Sequence, residues 1–149
     1  ISSLPAPFGI GDFGPRARKF ADFLQSSGMH IWQILPLNMT IARQGFSPYN
    51  CFSAFAGNPL LISPEQLAQD RLLQKKEIAD PPSFPLERVD YAACARCKHR
   101  LFKKAFARFR KRTEQSEYRR FILDNQSWLA DFTLFMALKD RYGLKVRSE

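Results

Sequence analysis

Three features of this 149-residue chain predict an α/β fold: an apolar run of strand length at 30–35, helix-forming segments on both sides of it, and helical apolar spacing through most of the second half. With 45% hydrophobic and 13% aromatic residues the chain has enough apolar material for one ordinary core, which excludes wholesale disorder.

The opening to Gly14 is rich in Pro and Gly. Pro15 suits the first position of a helix, because its missing N–H would have no intrahelical partner there. Ala17, Phe20, Ala21, Phe23 and Leu24 then share one stripe, and Gly28 is a natural stop. His30-Ile31-Trp32-Gln33-Ile34-Leu35 is apolar on both alternating faces except at Gln33, the pattern of a buried strand in a parallel sheet. Pro36 ends it. From Leu37 to Gly57 no period persists, yet Phe46, Tyr49, Phe52 and Phe55 are dense for a loop. Loops after parallel strands commonly carry binding groups, since the sheet holds their roots while their tips stay free.

Asn58 to Ser63 is expected to run extended into a helix capped by Ser63, with Pro64 at its first position and Glu65 in its first turn. Asp80-Pro81-Pro82-Ser83-Phe84-Pro85 is a rigid connector and the predicted boundary between a region 1–79 and a helical region 80–149. Asp90 can cap a long helix with Tyr91, Cys94, Ala95, Phe102, Ala105, Phe106 and Phe109 on one face and Arg100, Lys103, Lys104, Arg108 and Lys111 largely on the other. A last helix carries Trp128, Leu129, Phe132, Phe135 and Met136 and is expected to close near Gly143.

No run approaches the roughly 18 apolar residues of a membrane span, and no charged-then-apolar signal opens the chain, so a soluble, cytoplasmic protein without membrane partners is expected. The sequence starts at Ile1 rather than Met and reads as part of a longer protein. Three cysteines, an odd number, suggest reduced thiols rather than a disulfide framework. Cys94 and Cys97 have the spacing of half a zinc site with His99 close by, but no second pair completes it. Cys94 falls on the inner helix face, and the expectation is a buried apolar thiol and no metal.

The formal charge of +9 is concentrated: Arg96 to Arg120 holds 11 Lys/Arg against Glu114 and Glu117. Such a block could grip phosphates, which makes a helical nucleic-acid binder one rival class. No helix-turn-helix, zinc-finger or RNA-recognition pattern accompanies it, and a solvated outer face is the reading adopted. The 14 carboxylates lie almost entirely on predicted helix surfaces or at caps. Neither His30 nor His99 is matched to a nucleophile, so the residues form no complete catalytic set.

Gly45-Phe46-Ser47-Pro48-Tyr49-Asn50 joins a hydroxyl, a rigid turn and a phenol. Sugars present apolar ring faces edged by hydroxyls, which aromatic rings and short polar groups complement. The alternative is a loop that packs its aromatics back onto the protein, and composition leaves the two readings even.

The motifs in series resemble one family. They are Ser3-Leu4-Pro5, Pro7-Phe8-Gly9-Ile10-Gly11-Asp12-Phe13-Gly14, Trp32-Gln33-Ile34-Leu35-Pro36-Leu37, Ser47-Pro48-Tyr49, and Ser53-Ala54-Phe55-Ala56-Gly57-Asn58-Pro59-Leu60-Leu61-Ile62. Val89-Asp90-Tyr91 and Trp128-Leu129-Ala130-Asp131-Phe132 follow in the same order. Together they resemble the 4-alpha-glucanotransferases (amylomaltases, or disproportionating enzymes). The family usually has Asn or Asp at the position of Phe46 and Pro at that of Met39.

The resemblance implies the N-terminal portion of an alpha-amylase-type (β/α)8 barrel, incomplete in this chain because a barrel takes about 250 residues. Region 1–79 would supply the first strand and its substrate-binding loop, and region 80–149 an inserted, mostly helical subdomain. The implied reaction moves a 1,4-alpha-glucan segment to the 4-position of an acceptor by a retaining double displacement, using an Asp nucleophile and a Glu acid/base roughly 5 to 5.5 Å apart. In the family these carboxylates come from later strands, so no catalytic residue is assigned here and the chain alone is expected to be inactive. Ser47, Pro48 and Tyr49 take substrate-binding roles by the same resemblance, with Asn58 as a further candidate. The implied partner is a maltodextrin, with no cofactor and no nucleic acid; a non-catalytic glucan-binding fragment is the other alternative.

Overall fold

In the computed structural model, residues 1–42 and 45–142 are described, and the chain divides into two compact units, Ile1–Lys111 and Arg112–Glu149. The Pro-rich connector at 80–85, expected at a boundary, lies inside the first unit.

The first unit begins with turns that lead into α1 (Pro15–Ser26). Pro15 occupies its first turn, and its end is a Schellman motif: Gly28 N–H donates to Gln25 O at 3.0 Å and Met29 N–H to Leu24 O at 2.9 Å. The motif needs a left-handed residue, which Gly28 supplies at φ 74°. Ala17 is buried, and Phe20 meets Trp32 edge-on at 4.9 Å.

The expected strand at 30–35 is corrected by the structure. No strand occurs among the described residues, whose one isolated bridge is the antiparallel pair Asn38–Gly57. Ile31 is 86% and Leu35 61% exposed, not buried. A parallel strand is held by ladders to its neighbours, and no described segment pairs with this one, so Ile31, Ile34 and Leu35 remain in an irregular, solvent-facing stretch.

Pro59–Leu61 forms a 3-10 helix where an extended segment was expected; the Asn58 side chain caps it by accepting the Leu60 N–H at 3.0 Å. Helix α2 (Pro64–Gln69) follows as predicted, with Ser63 Oγ accepting the Gln66 N–H and Pro64 in the first turn. Short α3 (Lys75–Ile78) is closed by a capping box between Gln74 and Glu77.

Helix α4 (Tyr91–Phe109) is capped by Asp90, whose carboxylate accepts the Ala93 N–H at 2.9 Å. Its buried residues are Cys94, Cys97, Lys98, Leu101 and Ala105. That seam is rotated from the expected one: Phe106 is exposed, while Cys97 and Leu101 join Phe8, Leu73 and Ala105 in the core, with Leu67, Leu72 and Phe84 packed against it. The N-terminal turns approach this helix closely. A side chain at Gly9 (φ 75°) would collide with the Phe84 ring and Cys94 Sγ.

Arg108 makes a two-pronged ion pair with Glu77 at 2.7 and 3.1 Å and also donates to Leu72 O, tying α3 to α4. The guanidinium, the Gln74 N–H and Lys104 hold the Glu77 carboxyl down at about 2.

The second unit contains α5 (Ser116–Asp124) and α6 (Gln126–Tyr142). Asn125 makes the turn between them, donating from its side chain to Phe121 O at 2.8 Å and accepting the Trp128 indole N–H at 3.0 Å. Neither helix buries a residue. The stop expected at Gly143 lies outside the described residues.

Candidate functional site

The segment from Asn38 to Asn58 leaves and rejoins the first unit through one narrow neck. Asn58 N–H donates to Leu37 O at 2.8 Å, Met39 N–H to Ala56 O at 3.4 Å, and Asn58 Nδ2 to Thr40 Oγ1 at 3.3 Å. A loop closed at its base this way has a defined root and an exposed tip. Ser53 Oγ folds the returning limb by accepting the N–H groups of Phe55 and Ala56.

At the tip the chain turns at Gly45 (φ 66°) and Phe46 (φ 57°), with Phe46 N–H donating to Ile41 O at 3.0 Å. A left-handed phenylalanine is uncommon, whereas Asn and Asp enter that region several times more readily. Stacking offsets the strain: the Phe46 ring lies on Tyr91 at 4.8 Å and 15°. One aromatic of the loop therefore packs back onto α4, as one of the two open readings requires.

Tyr49 does not share that burial. It is 69% exposed, while Ser47 and Pro48 are half-buried. Ser47 Oγ accepts the Tyr49 N–H at 3.3 Å, and Ser47 O accepts the Asn50 N–H, so the Ser-Pro-Tyr turn is held by its own hydroxyl.

A cleft of about 210 Å³ lies under the loop, bordered by Trp32, Leu35, Thr40, Phe46, Pro48 and Asn58. Pro48 and Asn58 thus share one concavity, while Ser47 and Tyr49 stand outside its lining. Both Asn58 side-chain atoms serve the neck: the oxygen caps the 3-10 helix and the nitrogen reaches Thr40.

The prominent carboxylates of the first unit perform structural tasks. Asp12 pairs with Lys98 at 2.7 Å, Glu77 with Arg108, and Asp90 caps α4. No group of three or more His, Cys, Asp or Glu side chains suited to a metal occurs among the described residues. Cys51, Cys94 and Cys97 are all free thiols; burial raises the Cys94 thiol above its ordinary value. His30 and His99 are exposed. No described helix is long and apolar enough to cross a membrane.

The basic helix divides its charges. Arg96, Arg100 and Lys103 are exposed, Lys104 and Arg108 turn to Glu77, and Lys98 is fully buried. Sequence reasoning missed the Lys98–Asp12 pair. The available signal was spacing, because Lys98 lies four residues after Cys94 and three before Leu101, on the buried seam.

The comparisons with known proteins agree with one another. A family model described as 4-alpha-glucanotransferase matches residues 1–149. The 4-alpha-glucanotransferase of Aquifex aeolicus is 42% identical over 143 residues, covering 96% of this chain and 28% of the relative. That of Thermus thermophilus is 41% identical over 145 residues, covering 95% of this chain and 28% of the relative. A solved amylomaltase from Streptococcus agalactiae, in complex with acarbose, superposes with a TM-score of 0.88 at 37% identity, covering 97% of this chain and 29% of that one. The chain spans a little over a quarter of the length of these relatives, and over nearly all of its own length both sequence and backbone follow theirs. This chain belongs to the 4-alpha-glucanotransferase family.

Proposed function

We propose that the protein acts as a 4-alpha-glucanotransferase on maltodextrins, moving a 1,4-alpha-D-glucan segment to the 4-position of an acceptor glucan or glucose by a retaining double displacement. The observation that carries this reading is the family match over residues 1–149. The acarbose bound to the related amylomaltase supports an alpha-glucan as the ligand class. Residues 1–79 form the start of an alpha-amylase-type (β/α)8 barrel and carry its substrate-binding loop, and residues 80–149 form an inserted helical subdomain. Three free thiols suit a reducing, cytoplasmic location.

The loop wall is the chain's own contribution. Tyr49 offers its ring face to a sugar, Pro48 stiffens the turn, and Ser47, whose oxygen accepts the Tyr49 N–H, keeps its hydroxyl proton to give to a sugar oxygen. Asn58 retains a second amide hydrogen beyond the one given to Thr40. The Asp nucleophile and Glu acid/base belong to other parts of the protein, so this chain binds without turnover. Incubated with maltotriose, it should release no glucose and build no longer glucans, and either product would overturn the inactivity. Calorimetry should detect maltoheptaose binding to the wild type and its loss in Tyr49→Ala; a wild type that binds no maltoheptaose removes the loop's role.

A further inference from the structure

A lysine in a protein interior is costly unless its charge is paired and every donor is used. Lys98 meets both conditions. It has no exposed surface, and its ammonium donates to Asp12 Oδ2 at 2.7 Å, Leu60 O at 2.8 Å and Ile62 O at 3.0 Å, three donors on three acceptors. The second Asp12 oxygen accepts the Gly14 N–H at 3.0 Å, just ahead of α1. The two carbonyls flank Leu61, whose own carbonyl accepts the Phe13 N–H at 3.0 Å.

What these carbonyls belong to gives the pair a task beyond stability. Leu60 lies in the 3-10 helix that starts at Asn58, and its N–H donates to the Asn58 side chain. Asn58 in turn closes the loop neck through Leu37 and Thr40. An apolar side chain at 98 would fill the seam of α4 equally well but leave Leu60 O and Ile62 O without this donor. The ammonium therefore reaches from α4 to the root of the Ser-Pro-Tyr loop through two further hydrogen bonds.

We propose that Lys98, oriented by Asp12, is a positioning residue for glucan binding: its buried ammonium clamps the backbone on both sides of Leu61 and so sets how the 38–58 loop is closed. The proposal rests on the glucan-binding reading of that loop. It separates the first unit's core, which needs only a filled seam, from the loop root, which needs the charge.

The test uses the full 149-residue chain and the double variant Asp12→Asn/Lys98→Met, which removes both buried charges at similar volume and so leaves no orphan ion. Amide exchange at Asn58, Leu60 and Leu61 should accelerate about tenfold, while Cys97, Leu101 and Ala105 keep their wild-type protection. Maltoheptaose affinity should fall about tenfold. In the wild type, the Lys98 ammonium resonance, followed by nitrogen NMR, should move on adding maltoheptaose in step with the Tyr49 amide. A folded double variant whose Asn58 to Leu61 amides exchange as in the wild type overturns the clamp. An unfolded one also overturns it, because the pair would then serve the whole unit and not the loop. A Tyr49 amide that stays still in maltoheptaose sinks the glucan reading instead, and the exchange rates still decide the clamp.

Discussion

In the first unit, Phe8, Leu73 and Leu101 come from distant parts of the chain and meet in one core; in the second, α5 and α6 follow one another across Asn125 and bury no residue. Apolar supply does not separate them, for Leu123, Leu134, Phe135 and Leu138 are all exposed. The difference lies in what faces each stripe. Burial requires a second surface, and in the first unit the turns around Phe8, helix α2 and the Phe84 region all supply one to α4. The same contrast recurs within the first unit, where the α4 seam is covered while Ile31, Ile34 and Leu35 are not.

The sharpest way to break this contrast is to disturb the core where it is charged. Lys98→Met should cost about 3 to 5 kcal/mol, since Asp12 would be left as an unpaired buried carboxylate, whereas the double variant should lose less, only what the freed Leu60 and Ile62 carbonyls cost. Denaturant melts of both proteins check it, and equal losses in the two would mean that packing rather than pairing dominates. Leu101→Ala comes next, at about 2 to 5 kcal/mol for a cavity among Phe8, Leu73 and Ala105. A loss below that range would show that the cluster collapses readily around the gap.

A pH titration sharpens the comparison along α3 and α4. The Glu77 carboxyl sits at about 2 against an ordinary 4.5, so the stability from its pair with Arg108 is fully present above pH 4.5 and drains away as pH falls toward 2. Glu77→Gln should flatten the acid limb of the unfolding curve in that window. An unchanged limb would mean that other carboxylates govern acid unfolding. Leu134→Ala, on an exposed face of α6, should move stability by no more than about 0.5 kcal/mol. A larger loss would reveal a covering surface for that face and erase the difference between the units.

Local chemistry was legible where one or two residues decide the outcome. Pro15 with Gly28, Ser63 with Pro64, and Asp90 all mark helix ends found in the structure, because capping depends on backbone groups only a few positions away. The 30–35 run misled for the opposite reason: its apolar residues on both faces described what a sheet would bury, and no described neighbour forms that sheet. At the candidate site, Ser47, Pro48 and Tyr49 were visible as a turn. The stacking of Phe46 on Tyr91 was not, since it joins positions far apart in the chain.

The sequence by itself determined the starts of α1, α2 and α4 and the family, all of which reside in residue type and order. Only the tertiary structure decided which face of α4 is buried, that Lys98 lies on it, and that its ammonium reaches Leu60 O and Ile62 O. The physical reason is range. A cap or a turn closes over a few residues, but the partner of a buried charge can come from anywhere in the chain, here from Asp12 at the far end of the unit.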